Sequence, residues 1–106
     1  MVVGVARIEL LFPEVRSLKG KRQQLKRITD RLRTKFNAAV AEVARMDDPK
    51  RATVGIAVVS NEDPHVEQIH ASVIRFVEQL HLGQVLRHEL EITHYNDDEG
   101  FSEWGQ

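Results

Sequence analysis

The sequence predicts an α+β sandwich: a four-stranded antiparallel sheet with two helices on one face. Four stretches carry strand-type apolar patterning, and two others repeat apolar residues every three or four positions. They follow one another as β-α-β-β-α-β within 106 residues, the length of one domain. Each β-α-β crossover turns right-handed, which places both helices on the same side of the sheet.

Val2 to Leu11 alternates with period two. Its even positions (Val2, Gly4, Ala6, Ile8, Leu10) are small or apolar, while Arg7 and Glu9 stand on the odd side. That pattern gives a strand with one face on a core and one partly wet, ended by Phe12-Pro13. Ser17 is suited to cap a helix over about 18–36, whose stripe runs Leu18, Lys21/Arg22, Leu25, Ile28, Leu32 and Phe36. Gly20 is its weak point. Ala38 to Arg45 reads as a short strand and Met46 to Lys50 as a turn built on Asp-Pro. Arg51 to Ser60 is apolar on both parities, so it belongs in the centre of the sheet, and Gly55 points to a close approach. Asn61 or Asp63 is expected to cap the second helix, with Pro64 in its first turn. The stripe there is Val66, Ile69, Val73, Phe76/Val77 and Leu80, with a stop at Leu82-Gly83. Val85 to His94 alternates again. The whole is a ferredoxin-like domain over 1–95, followed over 96–106 by an acidic, turn-rich stretch that reads as a loose tail, in which Phe101 and Trp104 could dock somewhere.

Composition narrows the function classes. The chain is 42% hydrophobic and 29% charged, enough apolar surface for one modest core. It has no cysteine, which removes disulfides, thiolate chemistry and cysteine-based zinc sites. No apolar run approaches the roughly 20 residues of a membrane span. The first dozen residues lack a basic n-region and a cleavage site, so the expected address is cytoplasmic, without a membrane partner. No P-loop, nucleophile elbow or dinucleotide fingerprint is present, and a non-enzymatic protein without cofactor is expected.

The net charge of −1 conceals a separation. Residues 1–36 carry ten Lys/Arg against three acids, and residues 61–106 carry two against ten. Such asymmetry points to an anionic partner for the first part, or to pairing of the two halves with each other. The concentrated signal is Arg16, Lys19, Lys21, Arg22, Lys26, Arg27, Arg31, Arg33 and Lys35, interrupted by Asp30 alone. Lys19, Arg22, Lys26 and Arg33 share one helical side; Arg27, Arg31 and Lys35 form a second stripe. Like charges at this density repel one another, and a phosphate-contacting surface for RNA is the functional reading. A solvated face is the competing one. The strands lack exposed aromatic pairs and the chain lacks a GxxG clamp, so base stacking on the sheet is not expected.

The remaining constellations read as structural. His65 and His70 fall on different helix faces, and His88 and His94 are too far apart along a strand to share an ion; with His81 they read as surface or partly buried histidines and no metal site is expected. Glu89 and Glu91 share a strand face and can pair with Arg7 across neighbouring strands, which is ion pairing and not acid–base chemistry. Val3, Val5, Ala57 and Val59 fall on the face the helices leave bare. They are the expected oligomer interface of a homodimer, or of a module that docks another protein.

VVGVARIELLFPEVRSLKGKRQQLKRITDRLR, then FNAAVAEVA, then RATVGIAVVSNEDPHVE, resembles the YlxP-like family of small bacterial proteins, a domain of unknown function. The likeness covers about residues 1–95 and rests on Ser17-Leu18-Lys19 with Lys21-Arg22, on Leu25-Lys26, and on the strand from Ala52 to Asn61. Gly20 stands where the family has a longer side chain, and the tail past Tyr95 lies outside its pattern. The resemblance implies the ferredoxin-like fold and a gene placed among those for translation and ribosome maturation, near a ribosome-binding factor and an initiation factor. It implies no catalytic residue. RNA or a ribosomal particle is the partner expected on these grounds.

Overall fold

In a computed structural model, which describes residues 1–96, the elements follow the predicted order: β1 (Val2–Leu11), α1 (Leu18–Lys35), β2 (Ala39–Ala44), β3 (Arg51–Ser60), α2 (Asp63–Leu80) and β4 (Gln84–His94). The acidic tail with Phe101 and Trp104 lies outside the described residues. The sheet order is β2-β3-β1-β4, every pair antiparallel, with both helices on one face: the ferredoxin-like arrangement. β3 pairs with both β2 and β1, the central place expected of a sequence apolar on both parities.

The core lies between the sheet and the helices. The even positions of β1 are buried as their period predicts, and Ile8, Leu10, Val54, Ile28, Leu32 and Val66 are almost wholly shielded. At Gly4 a Cβ would collide with Val66 Cγ1, so the absence of a side chain lets α2 settle onto β1. Ser17 caps α1 as expected, its hydroxyl accepting from Gly20 N at 3.0 Å.

Three local expectations are corrected. The N-cap of α2 is Glu62, with no side-chain hydrogen bond to the helix; Asn61 lies outside it and Asp63 is already helical, its carboxylate 2.6 Å from His94 Nε2. The helix stops at His81, which takes the left-handed conformation (φ 54°), and not through Gly83. Gly83 answers a different need, since a Cβ there would stand 2.9 Å from the Phe12 ring. The strand before the first hairpin is shorter than predicted because Arg45 turns left-handed (φ 65°), and Asp48 Oδ1 then accepts from Lys50 N and Arg51 N to close the turn.

Candidate nucleic-acid interface

Helix α1 forms because its apolar stripe recurs with helical period, and that stripe fixes where every cation points. Leu25, Ile28 and Leu32 face the sheet. Lys19, Arg22, Lys26, Arg27, Arg31, Arg33 and Lys35 are exposed, as is Arg16 just before the N-cap. Asp30 is the one acid among them. It receives Lys26 Nζ at 2.6 Å and Arg33 Nη1 at 3.2 Å, and the Lys26 ammonium beside it holds its carboxyl below the ordinary value. Arg33 also donates to Val40 O at 2.6 Å, and Arg27 to Gln24 Oε1 at 3.1 Å. Lys35 Nζ lies 5.1 Å from the centre of the Phe76 ring. Arg16, Lys19, Arg22 and Arg31 have no carboxylate partner among the described residues.

Lys21 does not belong to this surface. The stripe places position 21 on the core side, and the side chain is completely buried. Its ammonium donates to Glu42 Oε2 at 3.1 Å and to the carbonyls of Arg45 (2.8 Å), Met46 (3.4 Å) and Arg51 (3.0 Å). It ties α1 to the β2–β3 hairpin and satisfies carbonyls that the left-handed turn at Arg45 leaves without ladder partners. A fully paired, buried ammonium cannot reach a phosphate, so the RNA-contacting set expected from sequence reduces to the eight exposed cations. The signal was present in the sequence: Lys21 falls within the apolar stripe.

On the opposite face the register sets Val3 against Val59 and Val5 against Ala57, so these four residues form one contiguous patch. Val59 is 66% exposed and Val5 47%; Val3 and Ala57 are half-buried. Val43 extends the patch across β2, packing over Gly55, where a Cβ would come within 2.8 Å of Val43 Cγ1. That is the close approach expected at Gly55, supplied by a neighbouring strand. Beside the patch lies a groove of about 610 Å³ bordered by Arg7, Glu9, Arg45, Arg87 and Glu89. Arg7 Nη1 meets Glu89 Oε1 at 3.5 Å, the cross-strand pair anticipated from the antiparallel neighbours; Val5, not Arg7, is opposite Glu91. Glu9 accepts from Arg87 at 3.2 Å and lies 3.7 Å from Arg45.

One contact was not read from the sequence. His70 on α2 and His88 on β4, 18 positions apart, meet with Nε2 and Nδ1 at 3.0 Å. Their ring centroids are 5.0 Å apart, so the two nitrogens lie nearly on the line joining the rings, and one ring donates a hydrogen bond to the other. Burial first, and the neighbouring His88 second, hold the His70 pKa below its ordinary value. Spacing within an element cannot show a pair that only the docking of α2 on β4 creates. Among the described residues, no group of three metal-ligating side chains converges, and no helix is long and apolar enough to cross a membrane.

Residues 3–90 match the family described as "Protein of unknown function (DUF503)". The "Uncharacterized protein YlxP" of Bacillus subtilis (strain 168) is 35% identical over 77 residues, 73% of this chain and 84% of that one. Among solved structures, the de novo designed protein Foldit4 superposes with a TM-score of 0.48 at 20% identity, covering 90% of this chain and 98% of its own. A second de novo design, with ferredoxin fold, gives 0.49 at 14% identity over 92% and 87% of the two chains. By the extent of the family match and the identity to its Bacillus relative, the chain belongs to the DUF503 family of proteins of unknown function.

Proposed function

We propose that this protein is a non-enzymatic, cytoplasmic RNA-binding protein of translation or ribosome maturation, gripping the phosphate backbone with the outward face of α1. The observation that supports this reading is the set Arg16, Lys19, Arg22 and Arg31, exposed cations without a carboxylate partner among the described residues. With Lys26, Arg27, Arg33 and Lys35 they make a cationic ridge interrupted by a single acid. Such a ridge attracts a polyanion by releasing its condensed counterions and reads no sequence. The sheet is the weaker candidate for an RNA platform, because Val3, Val5, Arg7, Glu9, Ala57 and Val59 on the outward face of β1 and β3 are aliphatic or charged and present no aromatic pair for bases to stack on.

The test is co-sedimentation of the full chain with ribosomal subunits at low salt. Wild type is expected in the pellet and released as salt rises. A variant with Lys19, Arg22 and Arg31 changed to Gln, which removes no ion pair, is expected to stay in the supernatant. Equal pelleting of the two proteins would refute the proposal.

A further inference from the structure

The bare face of the sheet has a chemistry of its own, and we infer that it is the interface of a symmetric homodimer, with Val3, Val5, Ala57 and Val59 meeting the same patch of a second copy. This goes beyond the RNA-binding reading and does not depend on it, since α1 lies on the other side of the sheet.

The surface is flat, aliphatic and β-branched: Val5 (47% exposed) and Val59 (66%) stand beside the half-buried Val3 and Ala57, and Val43 adds a further exposed valine on β2. Single exposed apolar residues are ordinary on monomers, but a contiguous patch of them marks an interface. The charges that continue the face toward its other end select the partner. They are of both signs and balance, Arg7, Arg45 and Arg87 with Glu9, Glu89 and Glu91. A face of one sign would repel its own copy and call for an opposite partner. A face on which the two signs balance does not repel its own copy, as the two-fold contact of a homodimer requires.

Area agrees. Strands of 10, 10, 11 and 6 residues form the face. At about 4.8 Å between strands and about 3.3 Å per residue they span roughly 600 Å² in projection. Two copies stacked over the whole face, its ion pairs included, therefore remove about 1,200 Å² from water, the lower end of the range for specific, stable interfaces. Face-to-face stacking also leaves both α1 helices on the outer surfaces of the dimer.

Sedimentation velocity of the full chain, from low micromolar to sub-millimolar concentration, tests this. The expected result is a dimer mass at the upper concentrations, with amide NMR shifts on dilution concentrated at Val3, Val5, Ala57 and Val59. Val5→Lys with Val59→Lys, both at exposed positions, should weaken association at least tenfold while the far-ultraviolet circular dichroism is unchanged. A monomer throughout would overturn the inference. So would a dimer that the double variant leaves intact with dilution shifts along β2 or β4, since the copies would then be pairing at a sheet edge. Loss of RNA binding in α1 variants, with the dimer retained, would leave this inference standing.

Discussion

Helices α1 and α2 do the same structural work and present opposite chemistry. Each has 18 residues, each lies on the same face of the sheet, and each buries an apolar stripe: Leu25, Ile28 and Leu32 in one, Val66, Val73 and Val77 in the other. Outwardly α2 is mixed, with Glu67 and Glu78 beside Arg75. The exposed face of α1 is cationic but for Asp30, and its first turn holds Lys19 and no acid, against the preference of a helix N-terminus for negative charge. α2 shows that this fold does not need such a face. The cations of α1 before its last turn therefore oppose stability slightly, a cost that the proposed phosphate partner would offset.

The helices are also fastened differently, α1 by a buried charge and α2 by close packing. Breaking the first fastening has the largest expected effect. Lys21→Ala removes the buried donor from Glu42 and three carbonyls, of which Arg45 O keeps Asp48 N, and should cost about 3–5 kcal/mol in urea unfolding. Arg22→Gln, one residue away but exposed, should stay within about 0.5 kcal/mol of wild type. Equal effects would show that Lys21 is not the clamp. Gly4→Ala attacks the second fastening: its Cβ meets Val66 on α2 and should cost about 1–3 kcal/mol by the same measurement.

Lys19→Glu separates stability from function. Placing an acid in the first turn should raise stability by about 0.3–1 kcal/mol through the helix dipole, while RNA affinity falls. A variant more stable and equally tight would remove Lys19 from the interface. The smallest effect belongs to α2 and its seam with β4. Because the folded His70 holds its proton less readily than the unfolded chain does, stability should be full above the ordinary histidine pKa of 6.5 and decline as pH falls below it. His70→Asn should flatten that decline in unfolding curves recorded between neutral and mildly acid pH.

The division between what was legible in the sequence and what was not follows the same lines. Period-two patterns placed β1 and β4 and helical ones α1 and α2, because burial of one face forces them; β3 was legible as a run apolar on both parities and β2 as a short strand before the Asp-Pro turn. The bare patch of Val3, Val5, Ala57 and Val59 was legible for the same reason: pleat parity decides faces before any contact is known. Composition alone counted Lys21 as a surface cation, although its place in the apolar stripe marked it as buried. The left-handed residues Arg45 and His81 carry no glycine to announce them. The His70–His88 contact joins two elements whose docking no local pattern encodes.

The most direct test of the cationic ridge is the salt dependence of RNA affinity for wild type and for the Lys19, Arg22, Arg31 to Gln variant, on two unrelated RNA sequences. If α1 grips phosphates, log affinity should fall linearly with log salt. The variant's slope should be shallower by about 2–3, with its affinity lower by about tenfold or more on both RNAs alike. Identical slopes for the two proteins, or a loss confined to one RNA, would contradict the account.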